Sequence, residues 1–266
     1  MSFPRRAVLL ASMSSAILLA VPMLAQSSAS VVPGIRIDYR PARERDTIVY
    51  NRSVTVAGRD SAAGTRTVVL QVVQSAGGAK TIEVSQRFPG GGGAIVDTAL
   101  ADLASLGAVA HASHQPARTM HFSFHDGTAT GTVASLGVPS DTSRKTESVQ
   151  QQLGGPIFDS NIIEMVIAAL PLREKFTAEL PFFIYERGGR VAMPVAVRER
   201  AHIASPALGD RDAWVVTVGV PGAPATIWVD AKTRVVLRVR YDIAARSMSF
   251  TDDRMTALPE KSPPGN

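Results

Sequence analysis

Residues 225–241 read ATIWVDAKTRVVLRVRY. Two apolar runs, Ala225 to Asp230 and Val235 to Asp242, flank the short polar stretch Ala231-Lys232-Thr233-Arg234. In the second run Val235, Leu237, Val239 and Tyr241 fall on one face, and Arg234, Val236, Arg238 and Arg240 on the other. That period of two is the mark of a strand with a core face and a mostly wet face. Between the runs, Asp230-x-x-Thr233 supplies a carboxylate and a hydroxyl that can both accept from free backbone amides, which predicts a turn and therefore a hairpin. The same arrangement recurs upstream, where Asp102-Leu103-Ala104-Ser105 precedes Val109. By composition Ala99 to Leu106 would suit a helix equally well. The shared turn chemistry favours strand, turn, strand over Ala94 to His114.

Outward from these hairpins, turn formers recur every eight to twelve residues with β-branched or alternating runs between them, the spacing of antiparallel strands. Strands are predicted at Ile35–Tyr39, Ile48–Ala57, Thr65–Gln74, Lys80–Phe88, Ala94–Leu100, Ala108–His114, Thr119–His125, Arg190–Ile203, Ala213–Gly219, Ala225–Asp230, Val235–Asp242 and Ser247–Thr251. The period changes once. Ile162, Ile163, Val166, Ile167 and Leu170 fall at helical spacing, Asn161 and Glu164 suit a capping box, and Pro171 would end the helix. A helix so apolar on one side needs a hydrophobic partner, and the sheet is the large one available. The expectation is a mainly β fold with one prominent helix packed on an antiparallel sheet: a single domain over 30–254, then a disordered tail over 255–266, whose end carries three prolines and a glycine from Pro259 to Asn266.

The chain begins with a short cationic stretch holding Arg5 and Arg6, followed by apolar residues strongest from Ala16 to Ala25. This order reads as a signal peptide, with Ser27 and Ala29 placed for cleavage after residue 29. An uncleaved anchor is the competing reading, since Ala7 to Leu24 carries little charge, but Ser12, Ser14, Ser15 and Pro22 interrupt it. Loss of residues 1–29 removes two arginines and no acids, leaving 26 basic against 23 acidic residues. The two signs are interspersed and no run of five cations occurs, which argues against nucleic acid as a partner. Of the 266 residues 45% are apolar and 19% charged, enough for a packed core, and none is cysteine. Disulfides, thiolate metal sites, cysteine nucleophiles and a lipidated amino-terminal cysteine are therefore excluded.

Four of the five histidines lie at His111, His114, His121 and His125. On a strand His121 and His125 would be roughly 13 Å apart, too far to share an ion. His111 and His121 could approach across a hairpin closed at Gln115-Pro116-Ala117, with Asp126 nearby, yet solvent-facing histidines are favoured over a metal site. No metal and no cofactor are expected. There is no G-x-S-x-G elbow, and Pro89 to Gly93 lacks the Lys-Ser/Thr of a phosphate loop. Asp252-Asp253 beside Arg254 reads as a solvated turn rather than a catalytic carboxylate pair. No catalytic residue is assigned.

The aromatic residues are more informative. Phe122 and Phe124 share a strand face with Met120, Trp214 lies with Val216 and Val218, and Trp228 alternates with Thr226 and Asp230 at what would be a rim. Core packing is the ordinary explanation. The alternative is that Phe122, Phe124, Ile163, Ile167, Phe182, Tyr185, Trp214 and Trp228 line a cavity between sheet and helix, with Pro181 to Tyr185 as its lid or mouth. The outward arginines Arg234, Arg238 and Arg240 could meet lipid headgroups, although a solvated face is the usual reason for such a row.

Together, the stretches Ser113 to Met120, Phe158-Asp159-Ser160-Asn161, Leu170-Pro171-Leu172-Arg173, Tyr185-Glu186-Arg187-Gly188-Gly189, Ala213-Trp214-Val215-Val216 and Ile227 to Thr233 resemble a family of exported bacterial proteins. That family is a domain of unknown function similar to outer-membrane lipoprotein-sorting and carrier proteins, and the resemblance covers roughly Ile35 to Arg254. It implies a strongly curved antiparallel sheet, an incomplete barrel closed by helix and loops over an apolar cavity that holds an acyl chain. Its motifs are structural, so they speak to fold before activity. The chain also departs from the better-known carriers in length and has no residue matching their lid arginine.

The expected function is therefore an exported protein, periplasmic or secreted, that binds a hydrophobic or acylated ligand without chemistry. Envelope proteins or the membrane surface are possible further partners. Two other classes compete with it: a secreted hydrolase or metalloenzyme using the His111 to His125 cluster, and an envelope scaffold or interaction module with a filled core.

Overall fold

The computed structural model describes residues 31–74, 78–90, 92–135, 145–187, 189–220 and 223–257. The signal peptide read over 1–29 and most of the tail read over 255–266 lie outside them. Eight strands come first: β1 (Arg45–Val56), β2 (Arg59–Gln74), β3 (Lys80–Gly90), β4 (Gly93–Asp102), β5 (Ala108–Gln115), β6 (Arg118–His125), β7 (Thr128–Ser135) and β8 (Lys145–Gln152). A crossing segment follows, made of β9 (Phe158–Asp159), a 3-10 turn (Ser160–Ile162) and helix α1 (Ile163–Ala169). Six more strands complete the chain: β10 (Thr177–Ile184), β11 (Gly189–Ser205), β12 (Gly209–Val220), β13 (Ala223–Asp230), β14 (Val236–Ile243) and β15 (Met248–Arg254).

All fifteen belong to one curved sheet, ordered β8-β7-β6-β5-β4-β3-β2-β1-β15-β14-β13-β12-β11-β10-β9, which does not close into a barrel. Every pairing is antiparallel except the short β9–β10 contact. The chain thus meanders outward from β1 to β8, crosses through α1, and meanders back until β15 pairs with β1, Tyr50 opposite Arg254. The first and last strands lie side by side at the middle of the sheet.

Both Asp-centred turns form and are near copies. Asp102 Oδ1 accepts from the amide and hydroxyl of Ser105 (2.8 and 2.6 Å), while Asp230 Oδ1 accepts from the amides of Lys232 and Thr233 (2.9 and 2.6 Å). In each a left-handed residue ends the turn, Leu106 at φ 57° and Arg234 at φ 62°, and its amide returns to the Asp carbonyl at 2.8 and 3.0 Å. The strand-turn-strand reading of Ala94 to His114 is therefore correct.

Several expectations need correction. Ile35–Tyr39 is not a strand; it runs beside the end of α1, the Asp38 amide donating to the Ala169 carbonyl at 3.1 Å. Strands β7 and β8 went unread because Thr128–Ser135 is built of small residues and Lys145–Gln152 is exposed along nearly its whole length, so neither shows a strong apolar alternation. Pro181 to Tyr185 is neither lid nor mouth. It lies in β10 and the turn after it, with Phe182 and Phe183 buried. Asp252 is no solvated turn residue but sits fully buried in β15.

Helix α1 ends as read, at Leu170 in extended conformation before Pro171. Its start differs. Asp159, not Asn161, caps the 3-10 turn by accepting from the Asn161 amide at 2.8 Å, and Glu164 is drawn away from any capping role. The buried side of α1 carries Val166 and Ile167 into a core shared with Val84, Leu180, Ile227 and Val239. Each such side chain contributes roughly 1.5–3 kcal/mol of burial. A second, separate cluster gathers Met120, Phe122, Phe124, Val133, Ile157 and Phe183 under the β5–β8 end of the sheet.

Candidate functional site

The short helix does not fill the concave face of the sheet. Beside it remains a cavity of about 360 Å³. Ile48, Val68, Leu70 and Val84 of β1–β3 form its apolar floor, and Met165 and Ala168 of α1 its roof. Its mouth is framed by the segment Asp38 to Arg43 and by the Asp230 turn through Thr233 to Val236. Ligand pockets span about 300–1,000 Å³, so this one suits a small molecule or part of an acyl chain.

One end of the cavity is charged. Arg66 of β2 donates through Nη1 and Nη2 to Glu164 at 2.5 and 2.9 Å, and Nη1 also reaches Gln86 at 3.1 Å. Tyr241 adds a hydroxyl bond to Glu164 at 2.7 Å. The other side of Arg66 meets Asp252 (3.1 Å), which takes a two-pronged pair from Arg52 at 2.8 and 2.9 Å. The side chain of Arg66 is only 2% exposed and that of Asp252 is fully buried, so each charge depends on the others for the solvation it has lost. The Arg66 guanidinium also stacks 4.5 Å above the Tyr50 ring. Burial, and next the nearby Glu164 carboxylate, raises the Tyr50 hydroxyl to about 12 and the Tyr241 hydroxyl well above its ordinary value. Both phenols stay protonated, as Tyr241 must to donate to Glu164.

A second polar cluster continues from the first. Gln86 donates to the carbonyl of Asn161, whose amide Nδ2 lies 3.4 Å from His111 Nδ1, and that nitrogen meets Asp159 Oδ2 at 2.9 Å. Ser113 lies on the same face of β5, two residues from His111. Its hydroxyl donates to Asp97 at 2.5 Å and not to His111, so the nucleophile-to-base bond of a serine triad is absent from this arrangement. Desolvation raises the Asp97 carboxyl above its ordinary value against the opposing pull of the Ser113 bond. His111 and His121 do not converge: His111 pairs across the hairpin with Phe122 and points inward, whereas His121 pairs with Ala112 and is exposed. Among the described residues no three His, Asp or Glu side chains are placed to hold a metal ion.

None of the eight side chains read as cavity lining borders this cavity. Phe122 and Phe124 pack edge-on against Phe183 at 5.0 and 4.9 Å between ring centroids, and Tyr185 sits 5.4 Å from Phe122, all within the second cluster. Phe182 packs on Phe158 at 5.5 Å. Ile163 and Ile167 belong to the main core, on the flank of α1 turned away from Met165 and Ala168. Trp214 lies partly buried near Arg200, and Trp228 faces Arg238 across β13–β14 at 5.8 Å. The sequence drew attention to rings, and the rings went into packing.

Besides its aliphatic walls, the cavity is bordered by charged side chains such as Glu164 and Arg254, and Arg66, which holds Glu164, lies on an inward strand face. One signal for them existed: Arg66 shares a strand face with Val68 and Leu70, and Arg254 shares one with Asp252. A charge repeating in phase with a core face marks an inward charge. Arg234, read as outward, lines the cavity because the left-handed turn takes it out of the β14 alternation.

No curated protein matches the chain in sequence. Three solved structures are similar to it at low identity and low TM-score. A β-barrel-like protein of the domain of unknown function DUF1849 from Brucella abortus is 12% identical, with 79% of this chain and 95% of that one covered and a TM-score of 0.45. A protein with a YmcC-like fold from Bacteroides fragilis is 11% identical over 84% of this chain and all of that one, with a TM-score of 0.30. A DUF1329 family protein from Desulfovibrio piger is 8% identical over 79% and 83%, with a TM-score of 0.27. Residues 45–251 match the model of a family described as a protein of unknown function, DUF3108, and the chain belongs to that family.

Proposed function

We propose that this chain is an exported binding protein of the cell envelope, periplasmic or secreted, which shelters a hydrophobic or lipid-like ligand in the cavity beside α1, in the manner of lipoprotein carriers. The observation that carries the reading is the unfilled, apolar-walled space of about 360 Å³ between α1 and β1–β3. Cores normally pack to the density of organic crystals, so a space of this size beside a buried helix is one a ligand can occupy. Each methylene moved from water into it would stabilise the complex by about 0.8 kcal/mol, and no catalytic group is required. The cationic start and apolar stretch of residues 1–29 support export, and among the described residues no helix is long and apolar enough to cross a membrane. Entry and release would pass the segment Asp38 to Arg43, which frames the mouth.

The test is uptake of a fluorescent fatty acid by delipidated protein, alongside native mass spectrometry of protein taken from its own envelope. The wild type is expected to take up one probe per chain, and A168W, which fills the roof, to lose most of it while keeping its melting temperature. Absence of uptake by the wild type, or undiminished uptake by A168W, would overturn the proposal.

A further inference from the structure

We infer that the ligand ends in an oxyanion, a carboxylate or a phosphate ester, and that Arg254 and Arg234 hold this head inside the cavity; the inference rests on the binding function proposed above. The charges around the cavity divide into two sets. Arg52, Asp252, Arg66 and Glu164 satisfy one another, with Tyr241 as an added donor to Glu164. At the rim Asp38 pairs with Arg40, both well exposed, and Asp46 accepts from the neighbouring Thr47 amide. Arg43 is exposed to solvent at the rim, which leaves two less accessible cations. Arg254 is 3% exposed and lines the cavity, yet among the described residues its one hydrogen bond runs from Nε to the Thr256 carbonyl at 2.8 Å and no carboxylate of theirs pairs with it. Arg234 lines the same space, its Nη2 donating to the Leu172 carbonyl at 3.2 Å and its buried Nη1 having no hydrogen-bond partner.

A buried guanidinium without an anion is costly, and it persists where something supplies the missing charge. The planar fork of Arg matches a carboxylate or phosphate with two parallel bonds, a geometry an ammonium or hydroxyl cannot supply. Desolvation lowers the proton affinity of Arg234, as expected for a cation whose counter-charge arrives from outside. The placement fits the fold as well. Arg254 ends β15 opposite Tyr50, and Arg234 ends the Asp230 turn, so two separate pieces of chain bring their cations to one cavity whose floor is apolar. An amphiphile would set its head on these arginines and its tail over Val68, Leu70 and Val84.

The experiment compares dodecanoate, dodecyl phosphate, dodecanol and dodecyltrimethylammonium on the delipidated full chain by calorimetry and native mass spectrometry. Both anions are expected to bind about tenfold or more tighter than dodecanol, the size of a charge-assisted hydrogen bond, with the ammonium weakest. Their order against each other tells a carboxylate head from a phosphate head. R234Q is expected to lower affinity for the anions about tenfold and leave dodecanol unchanged. R254Q should do the same, and R234Q carries the test alone if R254Q fails to fold. Equal binding of dodecanol and dodecanoate, or a parallel loss of both in R234Q, would overturn the anionic head and leave hydrophobic binding standing. Binding of none of the four would overturn hydrophobic binding itself.

Discussion

Glu164, the one acid of α1, is held by Arg66 of β2 and Tyr241 of β14, strands that β1 and β15 separate in the sheet. A single carboxylate thus ties the helix to both halves of the chain across the seam where first and last strands meet. Arg66 is 2% exposed, so removing its main counter-charge strands a cation in the interior. Asp252 at 3.1 Å offsets part of that loss. Glu164→Ala is expected to cost about 2–4 kcal/mol in guanidinium unfolding. Joint replacement by Arg66→Met and Glu164→Leu should cost less than the sum of the single changes, because the pair is removed together. Additive effects would mean that the two side chains do not act as a unit.

Asp97 gives an acid-side prediction whose sign follows from its burial. Its carboxyl titrates above the ordinary 3.8, desolvation being the largest cause, so the folded chain holds that proton more firmly than the unfolded chain does. Where the folded state binds more protons, stability falls as pH rises. The contribution of Asp97 is therefore full below 3.8 and is lost as pH climbs through its raised value. Asp97→Asn can still accept from Ser113 and carries no charge to bury. It is expected to be at least as stable as wild type at pH 7 and to lack this part of the pH slope, measured by urea unfolding from pH 3 to 7. A variant less stable than wild type at pH 7 would contradict it.

The tyrosines govern the alkaline side. Tyr39 and Tyr50 are raised to about 12 and Tyr241 well above its ordinary value, in each case first by burial and then by a neighbouring carboxylate, Asp46 for Tyr39 and Glu164 for the other two. The unfolded chain releases these protons near 10, so their stabilising contribution is intact below that pH and is lost as pH rises toward 12. Unfolding midpoints are expected to drop steeply above pH 10, and Tyr50→Phe should flatten the drop. Absorbance at 295 nm checks the same point, since the Tyr39 and Tyr50 phenolates should appear only near 12 or together with unfolding.

How much of this was legible beforehand follows from which residues alternate. The Asp230 hairpin could be read because Val235 to Tyr241 alternates cleanly and its turn has a chemistry of its own, which the Asp102 turn repeats. The helix was legible from Ile162 to Leu170 for the same reason. Strand β8 was not, because Lys145–Gln152 presents no apolar face. The site was missed for a different cause. Rings and histidines stand out by residue type, whereas the cavity is bordered by aliphatic side chains and by arginines and carboxylates whose partners lie far along the chain, as Arg66 lies 98 residues from Glu164. Pairing over that distance is decided by sheet order, which local sequence does not carry.

The second apolar cluster supplies the last prediction. Gly131 of β7 lies opposite Phe122 of β6, and a Cβ at Gly131 would stand 2.0 Å from the His121 carbonyl oxygen and 2.7 Å from the Phe122 ring. The nearer obstacle is backbone, so no change of rotamer relieves it and the two strands must separate. Gly131→Ala is expected to cost more than about 2 kcal/mol. By contrast, Gly209 has a φ of 70° with nothing within 4 Å, so Gly209→Ala meets only conformational strain of about 1–2 kcal/mol. Trimming the ring distinguishes the two obstacles at Gly131. Phe122→Leu should fail to rescue Gly131→Ala in thermal unfolding, because the carbonyl clash remains and the packing of Phe122 on Phe183 is lost as well. Rescue by the smaller side chain would show that the ring, and not the His121 carbonyl, sets the spacing of β6 and β7.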